Sequence, residues 1–284
     1  MQQAVFLAMK VIACTPTKDR RWSWEFSKSC MSAQKMKPDA WVIVDNSSTP
    51  AYDWSVAKSY PGVVYERIYE PKTISEQRNR CLEIALREGA DYIVFWDDDD
   101  YYPPTRISVG VEALAKNPES DIAGSSLMYL LLTRENVLMT TGPFNKDHAT
   151  AATWTIRRSY AEKNRFNPIR LKGEERDFTN EWTAKMLQVS AEDMIVVMGH
   201  GRNTVDKSDL LKRPNVYLAK FVNSDNGKMV FRSRWTVQWD IWKATFVDGV
   251  YSPPPECNQL AVSQSVEVPS LHTEETGASA ECRA

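Results

Sequence analysis

Residues 91–104 read Asp-Tyr-Ile-Val-Phe-Trp-Asp-Asp-Asp-Asp-Tyr-Tyr-Pro-Pro, and this stretch limits the fold more than any other. Five consecutive apolar residues, Tyr92 to Trp96, rich in β-branched and aromatic side chains, predict a strand buried on both faces. Four aspartates follow without a break, and Pro103-Pro104 stops any continuation as strand or helix. A buried strand that delivers carboxylates to its C-terminal end places them where open α/β sheets bind ligands. Two like charges about 4 Å apart repel by roughly 4 kcal/mol at an effective dielectric near 20. Four in a row therefore need solvent, a cation or raised pKa values. The plain alternative is a solvated acidic turn. Attachment to an apolar strand favours a site for a hard divalent cation, Mg²⁺ or Mn²⁺, whose shell a phosphate-bearing substrate completes.

The flanking sequence repeats the pattern of that strand. Residues 10–14 predict a first buried strand, ending in the polar loop Thr15-Pro16-Thr17-Lys18-Asp19-Arg20. Mixed helical spacing of aromatic and apolar residues predicts a helix over 21–37. Residues 41–44 predict a second strand with the loop Asp45-Asn46-Ser47-Ser48-Thr49-Pro50, and 63–68 a weaker one. Thr73-Ile74-Ser75-Glu76 has the form of a capping box, opening a helix that stops at Gly89. Strands alternating with helices, each strand followed by polar residues, predict an α/β fold with a mostly parallel central sheet flanked by helices. In such a sheet the strand ends meet on one edge, so Thr15, Asp45, Asn46 and Asp97 to Asp99 are expected around one crevice.

The second half is less regular. Residues 121–124, 127–132, 152–157 and 194–198 are strand candidates. Lys172-Gly173-Glu174-Glu175-Arg176-Asp177-Phe178 predicts a helix start, with the helix running through Trp182 and Leu187. Residues 234–246 carry an amphipathic helical pattern. From residue 253, Pro253-Pro254-Pro255 and a Ser/Glu/Thr/Ala composition predict a disordered tail to 284, leaving residues 1–252 as one domain.

Composition excludes some functions. A formal net charge of -2 argues against a protein that mainly grips nucleic acid. Five widely spaced cysteines with no Cys-x-x-Cys pair fit free thiols in a reducing compartment. The apolar start at residues 4–9 is too short for a membrane span, and no positive residue precedes it as in a signal peptide. A soluble, cytoplasmic protein without a membrane span is expected.

The order and spacing of these motifs resemble glycosyltransferase family 2, of the GT-A fold. The residues that carry the resemblance are Thr15-Pro16-Thr17, Val44-Asp45-Asn46-Ser47-Ser48, Arg78-Asn79, Asp97-Asp98-Asp99 followed by Pro103 and Arg106, and Gly173-Glu174-Glu175. The resemblance implies that Thr15, Asp45 and Asn46 contact a nucleobase and Arg78 the nucleotide. It implies that Asp97 and Asp98 hold the nucleotide's ribose and diphosphate, and that Asp99 ligates Mn²⁺ or Mg²⁺ with His200. Glu175 would be the catalytic base of an inverting transfer. Asn46 stands where the family has a second Asp, and Glu175 where it has an Asp one methylene shorter. The implied partners are a nucleotide-sugar donor, most often a UDP-sugar, and a hydroxyl acceptor on a glycan, protein or small molecule.

Two alternatives stay open on the residues. A Mg²⁺-dependent nucleotidyl or phosphoryl transferase would also cluster aspartates, although Thr15-Pro16-Thr17 is not a Gly-rich phosphate loop. A non-catalytic Ca²⁺- or glycan-binding module would leave Glu175 without a chemical task.

Overall fold

The computed structural model describes residues 9–133, 137–170, 173–203 and 218–221. In chain order the first half is β1 (Val11–Thr17), α1 (Trp24–Ser32), β2 (Ala40–Asp45), β3 (Val63–Arg67), α2 (Ile74–Arg87), β4 (Tyr92–Phe95) and α3 (Arg106–Lys116). Then come β5 (Ile122–Gly124), β6 (Met128–Leu132), β7 (Val137–Thr141), β8 (Thr155–Arg157), α4 (Arg158–Ala161), α5 (Glu175–Phe178), β9 (Met186–Gln188), β10 (Val196–Gly199) and β11 (Leu218–Phe221).

β4 is buried along its whole length because it lies at the centre of a seven-stranded sheet ordered β3-β2-β1-β4-β8-β5-β9. The four strands from β3 to β4 are parallel, and β8 runs antiparallel between β4 and β5. Side chains alternate across this sheet with period two. Val11, Ala13, Tyr92, Val94 and Trp96 join the face covered by α1 and α3, where Trp24, Trp41 and Trp54 pack ring to ring. Ile12, Cys14, Ile93 and Phe95 join the α2 face, with Trp154, Phe166 and Phe178. The result is an α/β/α sandwich with hydrophobic layers on both sides of the sheet. The expected capping box opens α2: Thr73 Oγ1 accepts from Glu76 N at 3.2 Å, and Thr73 N donates to the Glu76 carboxylate at 2.8 Å.

A second sheet, ordered β10-β6-β7-β11, stands beside the acidic loop. The connection between the two is specific. Tyr101 N donates to Val196 O at 3.1 Å, and Val196 N to Tyr101 O at 2.9 Å. The loop after β4 is thus stitched to the start of β10.

Three expectations are corrected. The segment Thr15-Pro16-Thr17 is strand rather than loop, because Pro16 pairs with Val44 and Thr17 with Asp45 along the β2 ladder. The helix expected over 21–37 is a 3₁₀ turn at Arg21–Ser23 followed by α1. The helix expected from Gly173 through Leu187 is a single turn, α5. Asn180, Glu181 and Trp182 take left-handed backbone angles (φ 50°, 59° and 65°), which no helix accommodates, and the chain re-emerges as β9 against β5. The amphipathic pattern at 234–246, the domain boundary near 252 and the tail 253–284 lie outside the described residues.

Among the described residues Cys14, Cys30 and Cys81 are free and buried. No helix among them is long and apolar enough to cross a membrane.

Candidate active site

The acidic loop is fixed from below before any carboxylate is considered. Trp96 and Tyr102 stack at 4.0 Å, and Trp96 Nε1 donates to Ser27 Oγ at 3.1 Å. Asp97 N donates to the Tyr102 hydroxyl at 2.6 Å. Under the loop, fully buried Arg106 donates through Nη2 to Trp154 O at 2.8 Å and Phe95 O at 3.4 Å, and through Nη1 to Thr155 Oγ1 at 3.1 Å, tying β4 to β8. Burial without a carboxylate partner brings that guanidinium down to about 10. Asp100 is spent on the second sheet: its Oδ1 accepts from Met198 N at 2.8 Å.

The loop therefore presents three carboxylates, each in a different setting. Asp98 is buried, accepting from Thr17 Oγ1 at 2.5 Å and from Arg20 Nη1 at 2.6 Å. Burial pushes its carboxyl up to about 7, against the pull of Arg20 and with the help of neighbouring Asp99. Asp99 Oδ2 lies 2.9 Å from Arg20 Nη1 and 3.0 Å from His200 Nε2. His200 gets there because β10 is anchored to the loop by Tyr101 and Asp100 and ends at Gly199. Asn203 holds the turn beyond, its Oδ1 accepting from His200 N at 2.6 Å. Trp22 meets the His200 ring edge-on at 5.0 Å. Asp97 is the most exposed of the three and faces Arg78 Nη2 at 3.6 Å.

Arg78 projects from the first turns of α2 into a buried position between the Phe95 and Phe166 rings. Its Nη1 pairs with buried Glu174, and the surrounding carboxylates of Asp97, Glu174 and Glu175 raise its pKa against the cost of burial. Glu175, first residue of α5, is half-buried, with Oε1 3.5 Å from Ala151 N. Asp177 turns away to a bidentate pair with Arg170 at 2.7 and 2.9 Å.

Three of the sequence-predicted residues are not brought to this cluster. Thr15 is fully buried, its hydroxyl accepting from Trp41 Nε1 at 2.8 Å. Asp45 is fully buried and accepts from Ser47 N, Ser47 Oγ, Trp54 N and the Tyr65 hydroxyl. Asn46 clamps the β3–α2 connection, donating to Ile68 O and Glu70 O and accepting from Lys72 N. Asp45 and Asn46 hold loops together, the role that turn chemistry gives Asp and Asn, whereas Thr15 ties β1 to a β2 side chain inside the sheet.

Sequence reasoning overlooked Thr17, Arg20 and Trp22. Thr17 lies two residues beyond Thr15 on the same face of β1, which the unforeseen extension of the strand carries to the edge. Arg20 is placed by its backbone: its carbonyl accepts from buried Trp54 Nε1 at 3.0 Å and from Ser23 N at 2.9 Å. The signal available was an Arg three residues after a strand-end Thr, opposite an acidic run.

Among the described residues no three or more His, Cys, Asp or Glu side chains are grouped so that they could hold a metal ion by themselves. What is present is a pair, one carboxylate oxygen and one imidazole nitrogen, backed by a second carboxylate. Such a pair suits a cation that takes its remaining ligands from substrate and water.

Comparison with known proteins agrees with this architecture. No curated protein sequence matches the chain. Among solved structures, S. aureus TarS 1–349 in complex with UDP-GlcNAc superposes with a TM-score of 0.53 at 15% identity, over 70% of this chain and 61% of that one. The mannosyltransferase PcManGT from Pyrobaculum calidifontis, in complex with GDP-Man and Mn²⁺, gives 0.52 at 16% identity, over 68% of this chain and 58% of that one. The chain thus matches about three fifths of the length of these structures, and at such identity the likeness concerns the fold, a GT-A sheet. The sequence profile of glycosyl transferase family 2 matches residues 25–174, from α1 to the residue before α5. The chain belongs to glycosyl transferase family 2.

Proposed function

We propose that the chain transfers a sugar from a nucleotide-diphosphate sugar to a hydroxyl acceptor, with inversion, at the edge where β1, β4 and β10 end. One observation carries the reading: Asp99, His200 and Arg20 converge within hydrogen-bonding distance beside the Asp97–Arg78–Glu174 chain of charges. The bound donors of TarS and PcManGT, UDP-GlcNAc and GDP-Man, support a nucleotide sugar as substrate.

Asp99 and His200 would hold a divalent cation, and Asp98 would back them. A carboxylate alone suits Mg²⁺ as well as Mn²⁺, and the imidazole nitrogen tips the pair toward Mn²⁺. Such a cation supplies charge to offset the leaving diphosphate. Asp97, open to the cleft, would accept from donor hydroxyls. Arg78, made rigid by its aromatic sandwich and by Glu174, adds fixed positive charge near the donor. Glu175 would take the proton of the acceptor hydroxyl on its carboxylate, a contribution of about 10²–10⁴ in rate. Its half-exposed position leaves it reachable by an acceptor. Asp45 and Asn46 would shape the nucleotide side of the cleft through the loops they hold, and Thr15 through the β1–β2 packing beneath it.

Thermal denaturation with UDP or GDP, each with and without MnCl₂, tests the reading. Stabilisation by a nucleoside diphosphate that requires the metal is expected, about 2.7 kcal/mol at a hundredfold excess over Kd. No stabilisation by either nucleotide under any condition would overturn it.

A further inference from the structure

The two carboxylates best placed for a cation already hold one. Arg20 Nη1 bridges Asp98 Oδ1 at 2.6 Å and Asp99 Oδ2 at 2.9 Å, and the acidic neighbours hold the guanidinium well above its usual pKa. The arginine is 21% exposed at its side chain, whereas the carboxylates are 1% and 7% exposed, so the arginine is the member of the cluster most open to solvent. Its backbone is pinned by Trp54 and Ser23, while its side chain is long enough to swing. Arginine cannot lose its proton to make room for another cation. It can only move or share.

We propose that Arg20 is an exchangeable counter-ion: it neutralises Asp98 and Asp99 in the metal-free protein, weakens binding of the metal alone, and moves to the donor diphosphate when metal and nucleotide arrive together. The proposal rests on the cation site described above and adds the order of events there. Four carboxylates within one loop would repel strongly if left uncompensated, and Arg20 reduces that repulsion. A guanidinium matches a diphosphate at least as well as a carboxylate, through charge-assisted and often bidentate hydrogen bonds. A metal ion on Asp99 displaces the arginine from that partner, and the incoming diphosphate supplies a new one. Metal and nucleotide then favour each other's binding, and by linkage the effect is reciprocal.

The test uses the full chain and MnCl₂ as sole ligand, followed by the electron paramagnetic resonance signal of free Mn²⁺. Arg20→Gln and Arg20→Met remove the charge, and Arg20→Lys keeps it. Removing a positive charge within a few ångströms of the site should tighten Mn²⁺ binding by about tenfold or more in either neutral variant, with the lysine variant close to wild type. In a second titration, at saturating Mn²⁺, UDP and GDP should bind the neutral variants about tenfold more weakly than wild type. Two neutral variants guard against one failing to fold. Unchanged or weaker Mn²⁺ binding in a folded neutral variant overturns the proposal. Asp99→Asn separates this from the underlying reading: wild-type Mn²⁺ affinity in that variant removes the cation site itself. Loss of Mn²⁺ binding there, with no gain in the Arg20 variants, removes only the counter-ion.

Discussion

Asp99 Oδ2 and His200 Nε2 lie 3.0 Å apart although 101 positions separate them in the chain. Two backbone connections make this distance. The Tyr101–Val196 bridge sets the register between the acidic loop and β10, and Asp100 fastens the loop to Met198. If the pair is a metal site, His200→Ala should weaken Mn²⁺-dependent nucleotide binding by at least the ten- to hundredfold typical of losing a metal-site partner. Asp99→Ala should abolish it. Calorimetric titration of UDP or GDP at fixed Mn²⁺ measures both, and full affinity in Asp99→Ala would remove it from the site.

Asp98 gives the metal-free protein a pH signature. Its folded pKa, about 7, lies above the ordinary 3.8, mainly because burial disfavours the charged form. The folded state therefore binds more protons than the unfolded state between those values, and the slope of stability with pH is negative there. The contribution is fully present below pH 3.8 and is lost as pH rises through 7. Asp98→Asn should flatten this dependence between pH 5 and 8. Denaturant melts of both proteins at matched ionic strength across that range check it, and parallel curves would show that Asp98 ionises normally.

The loop's support can be tested without touching a carboxylate. A Cβ on Gly110 of α3 would meet Thr155 Oγ1 at 2.1 Å, the same oxygen that accepts from Arg106. Gly→Ala within a helix gains up to about 1 kcal/mol, but overpacking costs about 1–3 kcal/mol. Clash should win because the obstacle sits on a strand in the sheet interior. Gly110→Ala should therefore lower Tm by several degrees, and Thr155→Ser, which keeps the oxygen but removes the methyl, should not rescue it. A raised Tm in Gly110→Ala would show that α3 can lift off β8.

How far the site could be read from sequence depended on whether its causes were local. The Asp97–Asp99 run and the Thr73 cap are local, since burial on both faces and side-chain capping mark the residues themselves. Arg78 and His200 came through resemblance, and the fold does bring both to the acidic loop. Thr17 and Arg20 were invisible because β1 ends where pairing with β2 ends, and Pro16 argued for an earlier stop. The segment after Glu175 misled for the opposite reason. Phe178 and Trp182, four apart, fit one helical face, yet β9 is fixed by pairing with β5, more than sixty residues upstream.

The sharpest separation of binding from chemistry lies in Glu174 and Glu175. They are adjacent in sequence but differ in setting: Glu174 is buried and paired with Arg78, and Glu175 is half-buried with a long contact to Ala151 N. Glu175→Gln keeps volume and one accepting oxygen but cannot take up the acceptor's proton. It should fold normally, bind Mn²⁺ and nucleotide as wild type does, and lose turnover by about 10²–10⁴. Glu174→Gln should do the reverse in part. It leaves the buried Arg78 charge without its closest compensation, a change of the kind that costs about 3–5 kcal/mol when one partner of a buried pair is removed outright. The retained amide should soften that, so a clear drop in Tm and weaker nucleotide binding are expected together. Asp177→Asn disturbs the open pair with Arg170 and an exposed contact with Asn167, and should change little. Single-turnover rates, nucleotide titrations and melts on the three variants decide the matter. If Glu174→Gln or Asp177→Asn silences turnover with stability intact while Glu175→Gln turns over normally, the base is not Glu175. The cleft's charge arrangement would then have to deliver the proton elsewhere, with Asp97, the most exposed of the loop carboxylates, the next residue to test.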